Sequence, residues 1–415
     1  MRYARRLAIP LILLAAPIFA QETSKPQSDV SALMQKIHDL EARITAMEEQ
    51  LRRLQVPQTA SQAGGSPSPT TAAAPDAAPP PTQAPLGSAE GGNAKALNPD
   101  IGMIGNFIGV AGHNPVQSSP SLQMHESEVG LQAILDPYAR GDFFLAFGEE
   151  GVSLEEGFIT FTSLPSGFVA KAGKMRSAFG KVNTSHNHVL SWIDRPLVTQ
   201  NLLGGEDGIN DAGVSIQRIL PAPKEIFLEA TGQVFRGDSS DVFTATSKSD
   251  LSLVAHLRGY RDISESTNLD LGFSFARGHN DLGSNFLTRL YGMDATLRWK
   301  PLRRAIYHSF ILRSEFVWSQ RQQPSVEQRA FGFYASADYQ LGRRWLLGGR
   351  YDHADRSRIA ADTDKGGSLV LTYRPSEFSQ IRGQYRFTRY AGETDAHELL
   401  MQVQFSLGAH GAHPF

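Results

Sequence analysis

The stretch HELLMQVQFSLGAHGAHPF, residues 397–415, alternates side-chain character with a period of two before it ends on an aromatic residue. Leu399, Met401, Val403, Phe405 and Leu407 fall on one face of a strand, and Glu398, Leu400, Gln402, Gln404 and Ser406 on the other. The pattern recurs upstream. Val129, Leu131, Ala133 and Leu135 share a face, as do Phe143, Leu145 and Phe147, and Leu269, Leu271, Phe273 and Phe275. So do Tyr291, Met293, Ala295, Leu297 and Trp299, and Phe331, Phe333, Ala335, Ala337 and Tyr339. Polar or small residues such as Asp142, Asp270, Asp294, Arg298 and Asp338 stand between them. A chain that repeats this alternation is confined to two-faced antiparallel sheet, and the alternation alone does not say which face is wet.

Strand number and length decide the class. About 16 strands of roughly 9 to 13 residues can be placed after residue 101, the length that a tilted strand needs to cross a bilayer. The fold class is therefore all-β, a transmembrane antiparallel barrel. An even strand count returns both ends of the barrel to one rim. Short turns are expected at Asp136–Tyr138, Leu164–Gly167, Leu220–Lys224, Asp262–Ser266, Leu341–Arg343 and Pro375–Glu377, interleaved with mostly longer, polar loops on the other rim. Tyr138, Trp299, Tyr307, Trp318, Tyr339, Trp345, Tyr351, Tyr373 and Tyr390 fall near the expected strand ends, where a ring can sit at headgroup depth.

The preceding segments differ in kind. Residues 1–20 place Arg2, Arg5 and Arg6 before the apolar run Leu7–Phe19 and a small Ala20, which reads as an export signal peptide. After a short leader at 21–28, residues 29–55 carry Val30, Leu33, Ile37, Leu40, Ile44, Met47, Leu51 and Leu54 at alternating spacings of three and four. Such heptads predict an α-helical coiled coil that associates with other copies. Residues 56–100, rich in Pro, Ala, Ser and Gly, read as an extended linker that cannot build a core. A net charge of -2 gives no electrostatic footprint for nucleic acid, and the absence of cysteine excludes disulfides and thiolate metal sites.

One connection is too apolar for a free surface loop. In the stretch 175–211, Val189, Leu190, Trp192, Ile193, Leu197, Val198, Leu202 and Leu203 require burial, which folding residues 176–211 into the lumen would supply. The stretches KAGKMRSAFGK at 171–181, WIDRPLV at 192–198 and DAGVSI at 211–216 are similar to the strand, loop and following strand of the trimeric porins of Gram-negative outer membranes. Within them the chain resembles the phosphate-selective porin-like group, and it is also similar to outer-membrane proteins labelled zinc-regulated TonB-dependent receptors. The sequence offers no plug domain and is too short for the roughly 22 strands of such receptors. The porin resemblance implies an inward third outer loop, a homotrimer in outer-membrane lipid, and passive diffusion of small hydrophilic solutes or ions. Val and Ile at the a positions of the heptads lean toward two strands in isolation, which a trimeric body would override.

For the lumen, parity gathers Arg344, Arg350, Arg374, Arg382 and Arg386 on the late strands as a basic, channel-lining wall. The loop supplies Lys181, His186, His188, Asp194, Arg195, Glu206, Asp207 and Asp211 as constriction candidates. Two readings stand: opposed charge across a constriction that filters solutes, or ion pairs that only hold the loop. Glu128, Asp142, Glu156, Glu229, Asp270, Asp294 and Glu315 also point inward by parity, so phosphate selectivity does not transfer. His186 and His188 share a face of an extended segment and His410 and His413 sit in the tail, but the sequence adds no further ligand cluster. No metal or cofactor is assigned. Ser185 beside His186 is not a triad and no G-x-S-x-G elbow is present, so no enzyme is expected. The expectation is an outer-membrane diffusion porin with a periplasmic coiled coil. The alternative is a structural anchor whose coiled coil contacts the cell wall.

Overall fold

A computed structural model of the chain describes residues 99–408 apart from 150, 224, 240 and 360. The expected signal peptide, coiled coil and linker, the tail histidines and Phe415 lie outside the described residues. Sixteen strands follow in order. They are β1 (Asp100–His113), β2 (Leu122–Asp136), β3 (Ala139–Gly148), β4 (Gly151–Leu164), β5 (Phe168–Arg176), β6 (Asn210–Leu220), β7 (Ile226–Phe235) and β8 (Ser252–Ser264). The second half comprises β9 (Thr267–Asn280), β10 (Gly283–Trp299), β11 (Phe310–Gln322), β12 (Glu327–Gln340), β13 (Trp345–Asp355), β14 (Thr363–Ser376), β15 (Ser379–Tyr390) and β16 (Thr394–Gly408).

Each strand pairs antiparallel with its neighbour in sequence, and β16 closes on β1 from Gly102↔Gly408 to His113↔His397. Closure removes both sheet edges. The alternation lands as the sequence predicts. On β16, Leu399, Met401, Phe405 and Leu407 are exposed while Glu398, Leu400 and Gln402 are buried toward the lumen. Phe143, Leu271, Phe273, Tyr291 and Met293 are likewise exposed. An outer surface of large apolar side chains on strands of this length is the lipid-facing band of a membrane barrel.

Departures from expectation are local. Several strands are longer than expected, β10 reaching 17 residues. The rim that carries neither end of the barrel is not uniformly long-looped: the connections β3–β4, β9–β10 and β15–β16 are short, while 300–309 on the opposite rim is long. Tyr138, Tyr307, Tyr339 and Trp345 are exposed near that opposite rim, where Trp345 packs on Tyr373 at 4.6 Å between ring centroids. Tyr390 instead turns inward, buried, and accepts a hydrogen bond from Asn114 Nδ2 at 3.0 Å.

Candidate functional site

The connection 177–209 between β5 and β6 has a 3-10 turn (Asn187–Val189), a short helix α1 (Leu197–Leu202) and otherwise irregular backbone. Its apolar residues find a complementary surface. Phe179, Val182, Leu190, Trp192, Val198, Leu202 and Leu203 cluster with Leu290, Val317, Ala330, Tyr334, Ala354 and Val370, which are inward residues of β10 to β14. An inward face that should be polar in a water-filled barrel is apolar here because protein covers it. Burying each of these large side chains contributes about 1.5–3 kcal/mol. Trp192 meets Tyr334 edge-on at 5.3 Å, and the Arg350 guanidinium lies 4.9 Å over the Trp192 ring.

Polar contacts fix the loop on the same side. Arg350 donates from Nη2 to Asp194 Oδ2 at 2.9 Å and from Nη1 to the Asp194 carbonyl at 3.0 Å, while its Nε bonds Asp352 at 2.7 Å. Arg386 bonds Asp194 Oδ2 at 3.0 Å and Glu398 at 3.0 and 2.5 Å. Gln384 donates to Asp194 Oδ1 at 2.6 Å and accepts from the Ile193 N–H at 2.8 Å. Burial alone would raise the Asp194 pKa, but Arg350, Arg386 and Gln384 hold it well below the ordinary carboxylate range. Arg382 reaches the Trp192 carbonyl at 3.2 Å, Gln402 and Thr372.

These contacts correct the expected wall. Arg350, Arg382 and Arg386 are present on the inward face, but they clamp the loop rather than face it across open water. Asp194 is the shared counter-ion of Arg350 and Arg386, not an opposing charge, while Arg382 holds the loop through the Trp192 carbonyl. Arg344 is exposed in the turn between β12 and β13, outside the barrel strands, because the turn ends one residue later than parity assumed. Arg374 sits near that rim on β14, with its backbone N–H bonded to the Arg344 carbonyl at 2.9 Å. Asp211 is buried and caps the next loop, accepting from the N–H groups of Gly237 and Asp238 at 2.8 Å each, with Arg236 at 3.2 Å. Glu206 pairs with His125 at 3.0 Å, and the Asp207 carbonyl accepts from Arg176 at 2.7 Å. Arg195 is buried inside the loop, where it donates to Asn187 Oδ1 and to the carbonyls of Val182 and Ser185.

The start of the loop crosses the lumen toward β8 to β11. Glu315 Oε1 accepts the N–H groups of Lys181 and Val182 at 2.6 and 2.7 Å, and Lys181 Nζ reaches Asp270 at 2.9 Å. Gly180 has φ +64°, and a Cβ there would collide with the Glu315 carboxylate, so this contact requires glycine. On the other flank, His186 is held between strands β2 and β4: Nδ1 lies 2.6 Å from Glu128 Oε2 and Nε2 lies 2.7 Å from Glu156 Oε2. Burial disfavours charge on His186, yet Glu128, Glu155 and Glu156 keep its pKa well above the ordinary histidine value. His188 is buried beside it, Nδ1 3.5 Å from Glu128 Oε2.

What the loop leaves open is a cavity of about 310 Å³ against the early strands. Lys171, Glu229, His256 and Arg258 line it, together with Glu156 and Lys181. Arg258 and Lys181 are both paired to Asp270. Among the described residues Lys171 and Glu229 form no ion pair: Lys171 lies over the Phe158 ring at 4.7 Å and Glu229 accepts from Gln217 at 2.7 Å. The sequence did not single out Lys171, His256 or Arg258, although their parity on β5 and β8 marks them as inward. It also missed a second tucked connection, 236–251, whose Val242 and Phe243 are buried in the same cluster as the long loop. Two adjacent apolar residues in a polar loop were the available signal.

No protein-family model matches the sequence. An uncharacterized protein of Aquifex aeolicus is 26% identical over 347 residues, which cover 73% of this chain and 72% of that one. Among solved structures, the anion-selective porin from Comamonas acidovorans matches with a TM-score of 0.54 at 11% identity, covering 75% of this chain and 99% of that one. The outer membrane channel DcaP of Acinetobacter baumannii gives 0.52 at 11% identity, covering 77% and 100%. A loop-deletion mutant of OmpT, an outer membrane protein of Vibrio cholerae, gives 0.53 at 10% identity, covering 75% and 99%. This chain therefore has the fold of the Gram-negative outer-membrane porins.

Proposed function

We propose that the chain forms a water-filled channel through the outer membrane for passive diffusion of small hydrophilic solutes or ions, with residues 177–209 as its constriction. The observation that carries this reading is the asymmetric lumen: the loop packs onto the inward face of β10 to β16, and a cavity with polar lining remains on the side of β4 to β8. A barrel that served only as an anchor would have no need to keep charged residues along an open path. In this reading Arg350, Arg382 and Arg386 set pore size by fixing the loop, while Lys171 and Glu229 carry the charge that a passing ion meets. The residues present do not favour phosphate over other solutes, because acidic side chains share the path. A homotrimer in outer-membrane lipid accompanies the reading, supported by the porin fold and by a trimer form of Vibrio cholerae OmpT with a TM-score of 0.51.

The test is reconstitution of the purified chain in a planar bilayer. Discrete, stable conductance steps, with a reversal potential in a salt gradient, are expected. A folded, heat-modifiable barrel that gives no steps would overturn the channel.

A further inference from the structure

The two loop histidines, unaccompanied in sequence, meet a carboxylate cluster in the fold. One ligand atom each from Glu128, His186 and His188 lies within 4.8 Å of the others; Glu128 and His188 are buried and the His186 side chain is 12% exposed. Two β-bulges bring the carboxylates there. Between β3 and β4 the register passes from Phe144↔Glu156 to Leu145↔Leu154, leaving Glu155 as the extra residue. Successive strand residues point to opposite faces, but this bulge leaves both Glu155 and Glu156 buried against the loop. Between β1 and β2 the register passes from Ile104↔Glu128 to Asn106↔His125, a second bulge directly beside Glu128.

Glu155 supplies an independent observation. It is 4% exposed, and its Oε1 is taken by Arg176. Its Oε2 is buried, has no hydrogen-bond donor among the described residues, and lies 3.3 Å from His186 Nδ1. A buried carboxylate oxygen without a hydrogen-bond donor is costly, and here the His186 ring, 3.3 Å away, meets it without a hydrogen bond.

We propose that His186 Nδ1, His188 Nδ1, Glu128 Oε2 and Glu155 Oε2 form a binding site for a divalent transition ion of the zinc type. A tetrahedral ion with bonds of about 2.0–2.2 Å sets its ligand atoms roughly 3.3–3.5 Å apart. Two separations match this: 3.3 Å for His186 to Glu155 and 3.5 Å for His188 to Glu128. The 2.6 Å contact of His186 with Glu128 would open by less than about 1 Å to admit the ion. The far nitrogen of His186 already meets Glu156 Oε2 at 2.7 Å, the outer-shell carboxylate that orients a metal-bound imidazole. Glu156 also borders the open cavity, which gives an ion a path to the site. The ion would pin the loop to β2 and β4, opposite the arginine clamp.

The test uses the full chain in detergent, stripped with a chelator and titrated with zinc chloride against a chromophoric competitor, with metal content measured by mass spectrometry. One zinc per chain is expected, and substitution by cobalt(II) should give the intense visible bands of tetrahedral coordination. His188→Ala and Glu155→Gln should each weaken binding at least about tenfold, and Glu156→Gln by about 10- to 100-fold. A variant carrying His410→Ala and His413→Ala should retain it. Heat-modifiable mobility reports folding, and Glu155→Gln, nearly isosteric, keeps the test valid if the histidine variants misfold. A folded wild type that retains no zinc, or retention unchanged by Glu155→Gln, would overturn the site and leave His186 as an imidazolium held by carboxylates. These measurements do not involve conductance, so their failure leaves the channel reading to its own test.

Discussion

The two sides of this lumen share one strand period and differ in what their inward residues touch. On β10 to β16 several inward positions are apolar, such as Leu290, Val317, Tyr334 and Val370, and others, Glu315, Arg350, Gln384 and Arg386, are bonded to the loop. On β5 to β8 they are Lys171, Ser215, Gln217, Glu229, Thr231 and Arg258, and they border open space. Inward charge is therefore not the same as channel-lining charge. Whether an inward arginine filters solutes or staples a loop depends on the partner the fold delivers to it.

The largest effect should come from cutting the clamp at its shared counter-ion. Asp194→Ala would leave Arg350, whose side chain is 1% exposed, and Arg386 without the carboxylate between them. Breaking a buried pair from one side costs about 3–5 kcal/mol. The barrel should stay closed while the loop detaches from the late strands. Single-channel conductance would rise and become noisy, and limited proteolysis would cut within 177–209. Unchanged conductance would break the division between a closed and an open side.

A smaller effect is expected from the apolar half of the same attachment. Leu203 is 0% exposed, and Leu203→Ala should cost about 2–5 kcal/mol, as cavity-forming substitutions do. Arg350 and Arg386 would still hold Asp194, so the loop should open transiently rather than detach. The expected record is brief upward excursions on a normal main conductance level. A conductance as large as that of Asp194→Ala would show that apolar packing, not the clamp, holds the loop.

The sequence made the barrel legible because lipid on one side and a polar or loop-filled lumen on the other impose the period of two at every strand. It made the loop's burial legible too, since Trp192, Val198 and Leu203 had no other way to leave water. The docking surface was also written there, in the inward Leu290, Val317 and Val370, but nothing in the alternation singled those residues out. The role of the arginines was not legible. Parity assigns a face, and it cannot say that Asp194, more than 150 positions away from Arg350, arrives to meet it. The carboxylates around His186 were hidden for a sharper reason: strict alternation sends Glu155 and Glu156 to opposite faces, and only a bulge defeats it. The expected coiled coil falls outside the described residues.

The smallest expected effect is also the one that tests the open side directly. Lys171 and Glu229 have no ion-pair partner among the described residues, so each presents its charge to whatever fills the cavity. Both line the open cavity, and a unit charge about 4 Å from a passing ion contributes only about 1 kcal/mol in water-like surroundings. That corresponds to a change of a few-fold in ion occupancy, further reduced at high salt. Lys171→Ala should move the reversal potential in a salt gradient toward cation selectivity, and Glu229→Ala should move it toward anion selectivity. Neither should alter loop proteolysis. Conservative changes in the clamp provide the contrast: Arg382→Lys keeps its charge and reaches fewer acceptors, so it should affect gating noise more than selectivity. If Arg382→Ala shifted the reversal potential more than Lys171→Ala, ions would be passing along the late strands, and the assignment of the two sides would have to be exchanged.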